Sequence, residues 1–261
     1  MAVRKIVIVP TLLTLGNAVC GLASIAYASR IGKEGFSTDL ATTYLALSGW
    51  LILAAMVFDA LDGSAARLFK STGEFGAELD SLCDTVSFGV APAFLLLQLG
   101  PGWDQPVWHR LLAAVATLYL MCTVLRLARF NVEARAGIGS GKRFRGLPSP
   151  AAAGCVAALA VLRATYTSEA VHFAFEAWAT AGAFLVALLM VSQVSYPHLT
   201  KQMLRGGRTA VPLLLTAVVL LVLAREAAVA LMFWGYALLG LARHVAGKLA
   251  RREKSLRGER G

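Results

Sequence analysis

The chain has 261 residues, of which 57% are hydrophobic and only 15% are charged, and its formal net charge is +10. A soluble globular domain usually carries about 25% charged residues, so the composition argues against a soluble protein, and the apolar content excludes disorder. Read as helices of about 20 residues, the chain is long enough for roughly eight membrane spans. The positive charge of so apolar a chain indicates basic loops at an anionic membrane surface rather than nucleic-acid binding.

Apolar runs of spanning length, or slightly less, follow one another along the chain. They lie at 8–29, 39–58, 81–100, 108–128, 149–168, 172–195, 209–224 and 227–242. The last two runs are short and are separated by Arg225 and Glu226, so they predict a tight helical hairpin rather than one long tilted helix. The sequence therefore predicts an all-α, polytopic membrane protein with about eight transmembrane helices.

The distribution of basic residues predicts the orientation of the chain. With the N-terminus in the cytoplasm, most of the 25 Lys and Arg residues fall in cytoplasmic segments, as the positive-inside rule requires. An odd number of spans would place the basic C-terminal tail outside, so both termini are predicted to be cytoplasmic. We expect a membrane domain over 1–245 and a basic cytoplasmic tail over 246–261 that lies on anionic membrane lipids.

Four aspartates lie where two neighbouring spans meet the cytoplasmic face. Asp59 and Asp62 are three residues apart at the end of one run, and Asp80 and Asp84 are four residues apart at the start of the next. Each pair therefore shares one helix face. A charged residue in the membrane costs about 2.5–3.5 kcal/mol on insertion scales, so such residues indicate a functional site. If the two helices pack side by side, all four carboxylates point into one cavity.

This acidic cluster requires cations, because four neighbouring carboxylates cannot all stay ionised without them. Oxygen-only ligands favour Mg²⁺, Mn²⁺ or Ca²⁺ over zinc, and a set of this size suits two ions about 3.5–4 Å apart. An ion-paired helix junction is the structural alternative, but Arg67 and Lys70 do not balance four aspartates and Glu78. Small residues nearby allow close helix packing or leave room for a flat ligand group, and they are Gly63, Ala66 and Gly76.

The same residues resemble the signature of the CDP-alcohol phosphatidyltransferases at every position, with the spacing Asp59-x2-Asp62-Gly63-x2-Ala66-Arg67-x8-Gly76-x3-Asp80-x3-Asp84. The resemblance implies an integral membrane enzyme in which an alcohol displaces CMP from a CDP-linked lipid. It implies two divalent cations, Mg²⁺ or Mn²⁺, with Asp59, Asp62 and Asp80 as ligands and Asp84 as both ligand and general base. It also implies contacts to the CDP-linked lipid from Gly63, Ala66, Arg67, Gly73 and Gly76.

Three further stretches resemble the phosphatidylserine synthase branch of that family, of the bacterial membrane-integral type. They are Pro10–Asn17, Arg126–Asn131 and Phe144–Pro150. The resemblance implies CDP-diacylglycerol and L-serine as substrates and CMP as a product. It also implies a location in the inner membrane of a bacterium and a homodimer as in relatives. The loop charges independently predict an active site that faces the cytoplasm, the side where CMP would be recovered.

The basic segment after the fourth span has the chemistry that serine requires. The carboxylate of serine favours an arginine, for which Arg126, Arg129 and Arg145 are candidates, and Asn131 is a candidate partner for the ammonium or hydroxyl group. The same charges also fit a loop that only follows the positive-inside rule. At the other end of the chain, Thr14 and Asn17 are expected either to pack against a neighbouring helix or to line the CDP-diacylglycerol site.

Two other hypotheses remain open. Within the same class of enzyme, the acceptor could be glycerol 3-phosphate, an inositol phosphate or choline, and a phosphorylated acceptor would need a denser cationic pocket than serine does. From another class, an ion-coupled transporter also keeps acidic residues in the membrane, although here they lie at one face and near no broken-helix repeat. Release of CMP distinguishes the enzyme from the transporter.

Overall fold

A computed structural model describes residues 8–31, 38–68, 74–99, 106–136, 144–165, 169–196 and 225–258. This part of the chain is helical apart from one antiparallel ladder with two residues in each strand, which confirms the all-α prediction. The elements are, in chain order, α1 (Ile8–Ala28), α2 (Thr38–Leu68), α3 (Glu74–Asp84), a π-helix (Thr85–Val90), α4 (Ala91–Leu99), α5 (Pro106–Arg135), β1 (Phe144–Arg145), α6 (Ser149–Thr165), α7 (Glu169–Val191), β2 (Ser195–Tyr196) and α8 (Arg225–Gly258).

Several of these helices are long and apolar enough to cross a membrane. The five candidate spans are Ile8–Ala28, Asp39–Ala65, Glu74–Leu99, Val107–Glu133 and Glu226–Lys248, and two shorter apolar helices are Ser149–Thr165 and Ala177–Val191. The prediction of a polytopic membrane protein is therefore confirmed. Each predicted apolar run contains helix except 209–224, which lies outside the described residues. The total of eight spans and the cytoplasmic termini stay predictions.

Two helices extend well beyond the apolar runs that predicted them. α3 begins at Glu74, before the run at 81–100, so that Asp80 and Asp84 both lie within a helix. α8 continues through the basic tail to Gly258 instead of ending near residue 242. Lys, Arg, Ala and Leu are all good helix formers, so the helix outlasts the apolar segment that begins it.

α6 lies at the centre of the bundle and is built largely from small residues. Ala152, Ala153 and Cys155 are completely buried, and α2, α4, α7 and α8 pack around this helix. The approach is close, because a side chain at Gly49 of α2 would meet the side chain of Val161 on α6. Small residues let helix backbones come together and gain van der Waals contact where lipid supplies no hydrophobic driving force. This packing holds the helix that carries the first aspartate pair.

α1 is fastened to α2 by a reciprocal pair of buried hydrogen bonds. The Ser24 hydroxyl donates to the carbonyl oxygen of Ser48 at 2.9 Å, and the Ser48 hydroxyl lies 3.1 Å from the carbonyl oxygen of Ser24. Nearer the start of α1, a Cβ atom at Gly16 would lie only 3.0 Å from the ring of Phe58. These contacts hold α1 along α2.

The helix that carries the second aspartate pair widens into the π-helix directly after Asp84. Pro92 has no backbone N–H, so the carbonyl oxygen of Phe88 lacks the partner that it would have in an α-helix. The phenol of Tyr119 on α5 donates to this carbonyl oxygen at 3.1 Å instead. π-helical turns are frequent at functional sites, and this turn brings Ser87 against α1.

The β1–β2 ladder ties the segment before α6 to the end of α7. Gly146 has a positive φ of 87°, and a side chain at this position would strike the carbonyl oxygen of Met190, so glycine is required here. Tyr196 on β2 donates to the carbonyl oxygen of Ala237 on α8 at 3.2 Å, and burial raises the pKa of this phenol above its usual value. These contacts fix the start of α6, where Ser149 faces α5.

Candidate active site

The four aspartates come from two helices, as their spacing predicts. Asp59 and Asp62 lie on α2, and Asp80 and Asp84 lie on α3. One carboxylate oxygen from each of Asp59, Asp80 and Asp84 lies within 4.8 Å of the other two. Asp62 is outside this triad but stays close enough to all three to interact with them electrostatically. The structure therefore brings together the cluster that the sequence predicts, with Asp62 at its edge.

The burial of the cluster makes its charge costly. Asp62 and Asp84 are only 7% and 8% exposed, and Asp59 and Asp80 are half-buried. The ion pairs found among the described residues join Arg129 to Glu133 and Arg135 to Glu78, so they leave the cluster unneutralised. The Arg67 side chain and Lys70, which the alternative of an ion-paired junction would use, lie outside what is described.

Two residues of α1 contact the cluster directly. The Thr14 hydroxyl donates a hydrogen bond to the Asp62 carboxylate and also lies 3.0 Å from the carbonyl oxygen of Pro10. The Asn17 amide nitrogen donates to Oδ1 of Asp84 at 2.9 Å. Thr14 and Asn17 thus join α1 to the aspartates of the two neighbouring helices, and a role of these residues in lining the CDP-diacylglycerol site stays a prediction.

The residues present fit a divalent cation. The clustered donors are carboxylate oxygens, which suit hard ions such as Mg²⁺ and Mn²⁺. Beside them, the side-chain oxygen of Asn17 is buried and has no hydrogen-bond partner in the described part of the chain. A buried polar atom is almost always paired in a folded protein. An unpaired oxygen next to three converging carboxylates is therefore consistent with a site built for cations.

The small residues predicted to contact the CDP group are only partly described. Gly76 is exposed at the start of α3, and a side chain there would meet no described atom within 4 Å. Among the described residues, Gly76 therefore faces open space and packs against no neighbouring helix. Gly63 is half-buried on α2 beside Asp62. The side chains of Ala66 and Arg67, and all of Gly73, lie outside the described residues.

The residues predicted to bind serine differ in the partners that they contact. Arg126 lies near Asp84, donates from Nη1 to the Ser149 hydroxyl at 3.2 Å, and keeps a buried Nε without a partner among the described residues. Asn131 instead donates to the hydroxyl of Ser81 at 2.8 Å. Arg145 lies in β1, and its side chain is outside the described set. Arg126 is therefore the best-placed cation for an acceptor.

Arg129 shares a cavity with Arg126 but has its own counterion. Arg129 Nε donates to Glu133 at 2.8 Å, and both side chains are about two-fifths exposed, at 40% and 41%. The two arginines line a cavity of about 290 Å³ together with Phe130, Glu133 and Met190. Arg126 and Arg129, three residues apart, therefore share one face of α5, but the charge of Arg129 is already balanced by Glu133.

Three residues near the site are missed by the sequence analysis. Tyr236 on α8 is close enough to Arg126 to interact electrostatically, and Ser149 and Ser87 supply the hydroxyl groups described above. Ser149 lies within the Phe144–Pro150 stretch, which was a usable signal. Tyr236 and Ser87 lie inside apolar runs, where neither spacing nor charge distinguishes them.

Comparison with known families assigns the class of protein. The family model of CDP-alcohol phosphatidyltransferases matches residues 7–189, a region that contains all four aspartates and most of the described helices. The chain therefore belongs to the CDP-alcohol phosphatidyltransferase family. The resemblance proposed from the aspartate spacing is confirmed.

Curated relatives narrow the comparison to one branch. The CDP-diacylglycerol–serine O-phosphatidyltransferase of Helicobacter pylori strain 26695 is 32% identical over 206 residues, which are 77% of this chain and 76% of the relative. The enzyme of the same name from Methanocaldococcus jannaschii is 34% identical over 196 residues, which are 75% of this chain and 77% of the relative. The enzyme of that name from Bacillus subtilis is 32% identical over 203 residues, which are 77% of this chain and 97% of the relative. The predicted resemblance to the phosphatidylserine synthase branch is thus confirmed.

Proposed function

We propose that this protein is a phosphatidylserine synthase, which transfers the phosphatidyl group of CDP-diacylglycerol to the hydroxyl of L-serine and releases CMP. The convergence of Asp59, Asp80 and Asp84 carries the proposal, because it builds a hard-cation site where two spans meet. The names of the relatives support serine as the acceptor. The loop charges favour an active site that faces the cytoplasm, and the bacterial relatives support a location in the inner membrane of a bacterium.

The proposed role of the aspartates is to hold the cations on which the diphosphate of CDP-diacylglycerol would bind. Asp59, Asp62, Asp80 and Asp84 would together hold two divalent ions, Mg²⁺ or Mn²⁺. When bound, two such ions neutralise charge on the diphosphate and make CMP a better leaving group. Gly63, Gly73 and Gly76, with Ala66 and Arg67, would accommodate the CDP group. The open space over Gly76 supports that role.

Asp84 is the residue best placed to accept a proton. It ends α3, is almost fully buried, and is the aspartate on which Arg126 and Asn17 both act. In the proposed reaction the serine oxygen forms a bond to phosphorus, the bond from phosphorus to the CMP oxygen breaks, and the serine hydroxyl proton passes to Asp84. A general base must lie within hydrogen-bond reach of that proton, and the nearby Arg126 would hold the serine carboxylate there.

The other predicted serine ligands have weaker support. Arg129 is balanced by Glu133, and Asn131 is occupied by Ser81, so each would have to exchange a partner to bind serine. Arg145 stays a prediction from the sequence alone. The homodimer that relatives imply also stays a prediction.

A measurement of CMP release tests the function directly. The purified full-length protein in detergent would receive CDP-diacylglycerol and Mn²⁺ or Mg²⁺, with serine, glycerol 3-phosphate, inositol phosphate or choline offered separately. We expect CMP release that requires serine and that stops reversibly on chelation of the metal. Release with another acceptor would overturn the serine assignment but keep the family chemistry. Transport of an ion without release of CMP with any acceptor would favour the transporter.

A further inference from the structure

α1 contributes two polar side chains to the acidic cluster from a single face. Thr14 and Asn17 are three residues apart, so they lie on the same side of the helix. Both are buried, with exposed fractions of 4% and 0%. Thr14 bonds to Asp62 on α2, whereas Asn17 bonds to Asp84 on α3. α1 thus reaches one member of each aspartate pair.

The position of Asn17 is fixed by the π-helix. Ser87 donates from its hydroxyl to the backbone carbonyl oxygen of Asn17 at 2.9 Å. One turn further along α1, a Cβ atom at Gly21 would lie 2.8 Å from the Cα atom of Ser87, so the two backbones are in direct contact. With the backbone held on this side, the Asn17 amide has little freedom to leave Asp84.

The orientation of the Asn17 amide follows from its neighbours. Its nitrogen faces Oδ1 of Asp84, because an amide oxygen in that place would meet another acceptor. The amide oxygen is then left buried without a partner among the described residues. Burial of an unpaired acceptor is unfavourable. The arrangement is therefore explained if this oxygen acquires a partner when the cluster is filled.

We propose that Thr14 and Asn17 are positioning residues of the divalent-cation centre, where they orient the carboxylates of Asp62 and Asp84, rather than contacts for the nucleotide. Asn17 occupies Oδ1 of Asp84 and leaves the second oxygen of that carboxylate to the centre. The inference rests on the proposed metal-dependent function, since it assumes that the aspartates bind cations.

Binding of Mn²⁺ alone, measured by electron paramagnetic resonance on the full-length protein in detergent, tests the proposal without any turnover. We expect Asn17→Ala to weaken Mn²⁺ binding about tenfold or more, as loss of a residue that orients a metal ligand commonly does. Thr14→Val should also weaken Mn²⁺ binding, whereas Thr14→Ser, which keeps the hydroxyl, should bind Mn²⁺ as the wild-type protein does. At saturating Mn²⁺ the KM for CDP-diacylglycerol should stay within about twofold of the wild-type value.

A matched control lies on the same helix. Ser24 is also buried on α1 and bonds to α2, but it lies more than one turn beyond Asn17 and contacts no aspartate. Ser24→Ala should therefore bind Mn²⁺ as the wild-type protein does. If Asn17→Ala does not fold, the Thr14→Val and Thr14→Ser pair decides the question.

Two outcomes would overturn the proposal. One is wild-type Mn²⁺ affinity in both Asn17→Ala and Thr14→Val, and a raised KM for CDP-diacylglycerol in these variants would make the residues nucleotide contacts instead. The other is a wild-type protein that binds no Mn²⁺. If the wild-type protein binds Mn²⁺ and the variants weaken it, but serine elicits no CMP release, the proposed acceptor is wrong and the positioning role stands.

Discussion

The Asn131 amide donates to the Ser81 hydroxyl at 2.8 Å and so joins α5 to the turn of α3 that lies between Asp80 and Asp84. Both side chains are half-buried. The sequence predicts Asn131 as a ligand of serine, but in the structure its nitrogen is engaged with the helix that carries the aspartates. This contact couples the helix of the candidate acceptor residues to the helix of the candidate base.

A double-mutant cycle separates the two roles of Asn131. If the contact with Ser81 is structural, Asn131→Ala and Ser81→Ala should each lower the free energy of unfolding by about 0.5–1.5 kcal/mol, the net value of one hydrogen bond. The double variant should lose about as much as either single variant, because both remove the same bond. A rise in the KM for serine in Asn131→Ala but not in Ser81→Ala would instead show that Asn131 binds serine.

The bond between Tyr119 and the carbonyl oxygen of Phe88 gives a second prediction. Tyr119→Phe keeps the ring but removes the hydrogen bond to the carbonyl oxygen of Phe88, which costs about 0.5–1.5 kcal/mol. We expect a lower thermal unfolding temperature and reduced CMP release, because the π-helix follows Asp84 directly. Thr117→Ala, at an exposed position on the same helix, should change stability by about 0.5 kcal/mol at most. An unchanged unfolding temperature in Tyr119→Phe would contradict the structural role of this bond.

Asp84→Asn tests the candidate base and metal ligand. The substitution keeps the size of the side chain but removes the proton acceptor and the charge, so CMP release should fall by at least about a hundredfold. The protein should remain folded in detergent, because a neutral amide is easier to bury than an unpaired carboxylate. Asp39→Asn, at an exposed position in the first turn of α2, should behave as the wild-type protein. Ordinary activity in Asp84→Asn would remove this residue from the base role.

Much of the fold follows from the sequence, because hydropathy locates the membrane spans and the spacing of residues shows which of them share a helix face. The spacing of Asp59 with Asp62, and of Asp80 with Asp84, is a local property of each helix, and it predicts the cluster correctly. The π-helix is not a local property. Pro92 removes the α-helical donor to the Phe88 carbonyl oxygen, and a donor to that oxygen comes from Tyr119, 31 residues away in the chain.

The polar contacts of the site depend on how the helices are rotated against one another. In a bundle packed through Ala and Gly, several rotations bury similar apolar area, so hydropathy does not choose among them. The contacts of Asn17 with Asp84 and of Asn131 with Ser81 follow from the rotation that this fold adopts. For the same reason, Tyr236 on α8 is identified only when Arg126 is seen beside it.

Substitution by alanine should have opposite effects on stability at Gly76 and at Gly21. Gly76→Ala meets open space and improves helix propensity by up to about 1 kcal/mol, so stability should be kept or raised. The KM for CDP-diacylglycerol should nevertheless rise if this space receives the CDP group. Gly21→Ala would press into the backbone at Ser87 and should lower both stability and CMP release. Thermal unfolding and substrate titration of both variants check the pair, and a Gly76→Ala variant with unchanged KM would remove Gly76 from the CDP site.

Arg126 and Arg129 should differ in their effect on serine, although they share a helix face. Arg126→Lys keeps the charge but loses the planar fork that matches a carboxylate, so the KM for serine should rise about tenfold with little change in the KM for CDP-diacylglycerol. Arg129→Lys keeps an ion pair with Glu133 that is about two-fifths exposed and contributes little, so the KM for serine should change less than about twofold. Initial rates over a range of serine concentrations give both values. If Arg129→Lys raises the KM for serine more than Arg126→Lys does, serine binds beside Glu133, about two helical turns beyond Arg126 on α5. The proposed contact of Arg126 with the serine carboxylate would then be wrong.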